Sequence, residues 1–366
     1  MTWALAGLLV LAPIWAWRVG HRWPPSIRDN AFLTLGIMAG IWIAVLCWPL
    51  AVLWGLALYH WSDPDRARAP EFFPPVTGIL AIGSIIGVFL LAARVRPSDL
   101  WILRWAILLT GLSQLIVILW QGTELWHMRH QPRFTFHTVR DGLRGSMANR
   151  VVTGGLLAFC LALAPPAWMP VFGLGILAVN SFTALLAGLV ALMIRFPPEM
   201  IGFDHTGLVL RLGPVVLICL LAGCLGLLSV GIWRGNPMDS ARGRRAIWAL
   251  CLEEWLDASW RDRLLGRGHF AFSHIARWWQ TRQAVKDEYR QAHCDGLQLL
   301  LEYGLVGVLA VGCWLGLLSR GMALGDPWTA AVITALVVSL NQFTLHLPHT
   351  GLAVVAAAGV VWARLG

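Results

Sequence analysis

Residues 75–93, PVTGILAIGSIIGVFLLAA, carry no ionisable side chain. At about 1.5 Å of rise per residue, a helix over this run covers most of the roughly 30 Å hydrocarbon core of a bilayer. The run is continuously apolar rather than alternating, which excludes a strand of a transmembrane barrel. Comparable runs recur on both sides of it. Read between charged or proline-rich breaks, they predict about eleven helices (ten to twelve), near 3–17, 31–60, 75–93, 100–120, 150–164, 167–181, 183–196, 206–232, 297–318, 326–346 and 349–365. The run 31–60 contains Pro49 and reads as one tilted or kinked helix. Over all 366 residues, 58% are hydrophobic and 13% charged, with a mean hydropathy of +0.67. Soluble domains carry roughly 25% charged residues. The expected architecture is therefore an all-α polytopic membrane protein, a single membrane domain over 1–366.

Charge sets an expected orientation. In this count Arg18, Arg22, Arg28, Arg94, Arg96, Arg195, Arg211, Arg320 and Arg364 fall on one side, which the positive-inside rule makes cytoplasmic. Two longer polar segments, 121–149 and 233–296, then face outward. Both are rich in arginine and histidine, against the usual bias of an outer loop, and that excess points to an anionic partner. Net charge is +9 with Lys286 the single lysine, so arginine, whose planar fork suits phosphate, supplies nearly all the positive charge. The 22 tryptophans gather at predicted helix ends, as interfacial anchors do. Met1 to Trp17 shows no basic n-region or small-residue cleavage site. The seven cysteines form no CxxC pair, and five read as small core residues. Cys251 and Cys294 are the two placed in the outer loop, where a bond between them is chemically open. Within that loop, Ile247 to Leu256 and Ala276 to Ala292 predict helices. Its histidines 269, 274 and 293 match no familiar metal-ligand spacing, so neither a metal nor a cofactor is expected.

The sharpest local pattern closes the second loop: His293-Cys-Asp-Gly-Leu-Gln-Leu-Leu-Leu-Glu-Tyr-Gly304-Leu-Val-Gly307. Gly243-Arg244-Arg245-Ala246-Ile247-Trp248 and Leu264-Leu265-Gly266-Arg267-Gly268-His269-Phe270 precede it. In this order the three segments resemble the signature of the O-antigen ligase and O-antigen polymerase superfamily. A fainter likeness reaches back to Arg144-Gly-Ser-Met-Ala-Asn149, so that roughly residues 144–364 are covered. Two departures stand out. Cys294 occupies a position where the family prefers Asn, Ser or Gln, and Ser181-Phe182-Thr183-Ala184 replaces a Ser-Arg-Gly-Ala segment whose arginine is absent.

The resemblance implies an integral membrane glycosyltransferase with a helical periplasmic loop of the GT-C type, in a bacterial inner membrane. Such an enzyme takes a glycan from a polyprenyl (undecaprenyl) pyrophosphate carrier and passes it, with inversion and without metal, to an acceptor hydroxyl on the periplasmic face. The acceptor would be lipid A core for a ligase of lipopolysaccharide biosynthesis, or the growing glycan for a polymerase. No nucleic acid is expected as a partner. The residue chemistry agrees with these roles. A leaving pyrophosphate needs its developing charge neutralised, for which Arg244 is the first candidate and Arg144 or Arg150 the second, each a candidate to replace the arginine missing at Phe182. His293 suits the base that accepts the acceptor proton near neutral pH. Arg245 can exchange roles with Arg244, while Asn149 and His346 are further residues expected at the same face. Glu302 lies inside an apolar run, where a carboxylate is costly unless it is paired or functional, and a loop arginine could pair it. Two alternatives remain. One is a transporter or channel for an anionic lipid or solute; the other, a protein O-oligosaccharyltransferase of the same superfamily, is weakened because the sequence ends at Arg364-Leu-Gly.

Overall fold

The computed structural model describes residues 2–3, 50, 52–53, 55–56, 76–128, 143, 150–179, 181–196, 237–269, 271–272, 275–276, 292–340 and 348–365; at 76–84, 128, 150, 237–245 and 348–349 it describes the helix backbone alone. All regular structure among these residues is helical: α1 (Val76–Ala93), α2 (Leu100–Met128), α3 (Arg150–Leu163), α4 (Met169–Val179), α5 (Phe182–Arg195), α6 (Pro237–Leu256), α7 (Trp260–Leu265), α8 (Asp295–Leu318), α9 (Pro327–Ser339) and α10 (Pro348–Trp362). The predicted runs 3–17, 31–60 and 206–232, Pro49 included, lie largely or wholly outside the described residues, as do Arg144, Asn149 and His346 and most of the helix predicted over 276–292.

Local chemistry places the helix boundaries. Ser181 accepts from the Ala184 N–H to cap α5, and Ser259 accepts from Asp262 N–H at 3.1 Å to cap α7. Asp326 caps α9 through Thr329 N–H at 2.7 Å, with Pro327 in the first helical position. Pro97 and Pro166 open short 3-10 turns ahead of α2 and α4. Against the sequence expectation, α2 runs two turns past Trp120 into the segment read as an outer loop. Nothing between Gln121 and Met128 forces an end, since the stretch holds no proline, and Leu125 is buried there.

Two of the described helical stretches, Pro97–His127 and Asp295–Gly321, are long and apolar enough to cross a membrane. On α2 the outward face carries Leu109, Ile116 and Leu119, all exposed, between exposed Trp101 and Trp120. Those two indoles stand about 28 Å apart along the helix, close to the thickness of a hydrocarbon core.

The helices share two ends. The C-terminal part of α1 packs beside that of α10, where a Cβ on Gly359 would sit 2.4 Å from the Phe89 carbonyl. Gly321, just after α8, meets the Val361 carbonyl. Gly325 N–H donates to Ile194 at the end of α5, and Arg104 near the start of α2 donates to the Leu163 carbonyl at the end of α3. Arg94, Arg96, Arg104, Arg195, Arg320 and Arg364 thus gather at one end of the bundle, and the N-termini of α1, α3, α5, α8 and α10 lie at the other. Close packing needs small residues: Gly154 lets α3 approach Ala184, and Gly155 lets it approach Val338 of α9. Beside the main core, a second and smaller one joins α6 to the start of α8 through Ile247, Cys251, Phe272, Ala276, Ala292 and Leu301.

Candidate active site

The three sequence segments that carry the resemblance are brought into one hydrogen-bonded unit. Its centre is a break in α8. Gly304 (φ 64°, ψ −167°) leaves helical geometry in the middle of the apolar run, in a region of backbone space that only glycine readily enters. A break in a helix frees carbonyls that must find other donors. Here they find them in the Leu264–Gly268 turn: Arg267 N–H donates to the Leu301 carbonyl at 3.0 Å and Gly268 N–H to the Glu302 carbonyl at 2.9 Å. Gly266 (φ 81°, ψ 173°) ends α7 in the same glycine-only region and lies directly against Gly304. A Cβ on Gly266 would stand 2.2 Å from the Glu302 carbonyl oxygen, and one on Gly304 would stand 2.3 Å from that of Leu264.

The third segment joins through tryptophan. Trp248 on α6 donates its indole N–H to the Ala292 carbonyl at 3.1 Å, and Ala292 directly precedes His293. Ala292 N–H in turn donates to Gln298 Oε1 at 3.1 Å. His293 takes φ 53°, the one non-glycine residue with positive φ among those described. Left-handed backbone at such a residue costs free energy and persists where its surroundings enforce it; here Ala292 on one side and α8 on the other supply that enforcement. Cys294 occupies the N-cap of α8 without a side-chain hydrogen bond to the helix. An Asn or Ser oxygen in that position would accept far better than this sulfur.

Glu302 is completely buried. Gln298 and His269 are among its partners. Gln298, one turn earlier, donates from Nε2 to Glu302 Oε1 at 2.9 Å, and His269 Nδ1 lies 3.3 Å from Oε2. The same His269 nitrogen stands 2.8 Å from the Tyr303 hydroxyl. A protonated His269 forms an ion pair with Glu302, and a neutral ring with a bare Nδ1 accepts from Tyr303. Arg267, two residues before His269, makes an ion pair of 2.8 Å with Glu254 and a second bond to that residue's carbonyl, tying the turn to α6. Burial, with Cys294 and Glu302 nearby, pushes the Cys251 thiol up to about 12. Both Cys251 and Cys294 are free thiols.

The other predicted site residues are placed at the level of helices. Arg244 and Arg245 lie in α6, Arg244 one turn before Trp248. Arg150 is the first residue of α3, one turn before Gly154, which packs on Ser181 and Ala184. The start of α3 therefore adjoins the start of α5 at Phe182. Sequence reasoning assigned no role to His269, Tyr303 or Gln298. The Gln298–Glu302 spacing of one helical turn was a readable signal; the approach of His269 across the loop was not. Among the described residues, no group of three His, Cys, Asp or Glu side chains gathers as a metal site. In comparisons with known proteins, no family model and no curated protein matched the chain.

Proposed function

We propose that the protein is a multi-pass membrane glycosyltransferase of the O-antigen ligase or polymerase type, using a glycan linked to a polyprenyl pyrophosphate. It would span the bacterial inner membrane about eleven times, with α6, α7 and the start of α8 on the periplasmic side. The observation that supports this best is the convergence of the three separated motif segments on one unit, with the strained His293 at its edge.

In this reading the acceptor hydroxyl attacks the anomeric carbon, and His293 takes its proton as the new C–O bond forms. The bond from that carbon to the pyrophosphate oxygen breaks on the opposite face, inverting the centre. Arg244, Arg245 and Arg150 (or Arg144) neutralise the departing charge by charge-assisted hydrogen bonds. The N-termini of α3, α5 and α8 at this end add their partial positive charge, which favours an anion. Glu302, His269 and Tyr303 hold the broken helix in register with the loop.

Two assays test the proposal. In proteoliposomes holding an undecaprenyl-pyrophosphate-linked glycan and acceptor, His293→Ala is expected to lower transfer by about 10²- to 10⁴-fold without loss of donor binding. Arg244→Ala is expected to weaken both, and Arg244→Lys to restore part of each. In cells, deletion of the gene is expected to abolish attachment of the O-glycan (ligase) or leave single-unit chains (polymerase). Unchanged surface glycan after deletion, or wild-type transfer by His293→Ala, would refute the assignment.

A further inference from the structure

At the end of the bundle away from the candidate active site, three arginines surround one carboxylate. Arg104 of α2 donates from Nε to the Leu163 carbonyl, and Arg195 at the end of α5 donates from Nη1 to the Gly325 carbonyl at 3.0 Å. Arg364, after α10, donates to Asp326 Oδ1 at 2.7 Å. The other oxygen of Asp326 is taken by Thr329 N–H. Among the described residues of this cluster the one acid is thus committed on both sides, to Arg364 and to the cap of α9, while the like charges of Arg104 and Arg195 oppose each other. Arg195 Nε is buried and meets no acceptor among the described residues. A guanidinium carries five N–H donors, and the carbonyls of Leu163 and Gly325 use one from each of these two. Helix C-terminal carbonyls explain why arginines sit here; they do not neutralise two neighbouring charges.

The rim of this cluster is apolar and aromatic. Trp101 is 56% exposed, Trp168 39% and Leu324 70%. Trp168 packs edge-on against Trp105, the residue next to Arg104. Indoles of this kind sit at the level of lipid headgroups, and a phosphate at that level offers several oxygens to planar forks.

We infer that Arg104 and Arg195, with Arg364 at the margin, form a phosphate-binding site whose ligand is the headgroup phosphate of an anionic phospholipid in the leaflet facing this end. The inference does not depend on the glycosyltransferase reading.

The full-length protein, purified in detergent, would be examined by native mass spectrometry and thermal unfolding with added phosphatidylglycerol, phosphatidylcholine or inorganic phosphate. The wild type is expected to retain phosphatidylglycerol about tenfold or more over phosphatidylcholine, whose choline cation offsets the charge of the same phosphate. Arg104→Gln/Arg195→Gln is expected to lose that preference, and Arg320→Gln, at an exposed arginine outside the cluster, to keep it. Displacement of the lipid by millimolar inorganic phosphate would support the site and identify its source as free phosphate as well as lipid. Should the double variant fail to melt cooperatively, Arg104→Lys/Arg195→Lys decides: retention reduced but not abolished is expected. No preference for phosphatidylglycerol and no response to phosphate in the wild type would overturn the inference. So would an undiminished preference in either double variant that melts cooperatively.

Discussion

Alanine at Gly304 tests whether the break in α8 is what holds the loop on the bundle. The position has φ 64° and ψ −167°, a conformation that costs a residue bearing a Cβ about 1–3 kcal/mol. The added methyl would also stand 2.3 Å from the Leu264 carbonyl oxygen and 2.6 Å from Gly266 N, both backbone atoms that cannot rotate away. Overpacking of that kind costs a further 1–3 kcal/mol or so. The sum, about 2–6 kcal/mol, falls on the contact between the Leu264–Gly268 turn and α8. Hydrogen exchange of the Arg267 and Gly268 amides reports that contact directly, because each donates to α8. Their exchange is expected to speed up by roughly 30- to 10⁴-fold. Gly312→Ala in the same helix is the control. Nothing lies within 4 Å of its added Cβ, so it should leave these amides alone and gain up to about 1 kcal/mol of helix propensity. Unchanged protection of Arg267 and Gly268 in Gly304→Ala, with an unchanged melting temperature, would refute the reasoning.

Three further outcomes follow from the same geometry. Glu302→Ala leaves Gln298 and His269 facing an empty buried position and is expected to cost about 3–5 kcal/mol, with Glu302→Gln costing less, both read from thermal melts. At the other end, burial opposes ionisation of Asp326, but hydrogen bonds from Arg364 and from the Thr329 N–H and hydroxyl outweigh it and hold the carboxyl below its usual range. A lowered folded-state pKa contributes stability that is fully present above the unfolded value near 3.9 and is lost as pH falls through the folded one; melts between about pH 6 and 3 should show a decline that Asp326→Asn reduces. The Cys251 thiol, pushed up to about 12, is expected to resist a water-soluble maleimide at pH 7.5 until the protein is unfolded, as peptide mass mapping would read.

The apolar runs determined helical secondary structure with little help from context. The predicted 75–93, 150–164 and 297–318 differ by two residues or fewer at either end from α1, α3 and α8, because a helix satisfies its own backbone and hydropathy marks where it must. The ends of α2 and α9 were less legible. Only the packing of Leu125 shows why α2 continues beyond Trp120, and α9 stops at Ser339, short of the run predicted to 346.

The site was legible as three motifs and not as a constellation. His293, Trp248, Gly266, Gly304 and Glu302 were all marked in the sequence, yet their spacing along the chain says nothing about which backbone donors meet which carbonyls. Tertiary structure decided that His269 reaches Glu302 across the loop beside Gln298 on the same helix, and that Arg267 is held by Glu254, since a buried carboxylate takes partners that reach it with the correct geometry. It also decided that the glycines of two motifs press on each other. A sequence shows where the chain is free of Cβ atoms; the fold alone determines which backbone fills the space they leave.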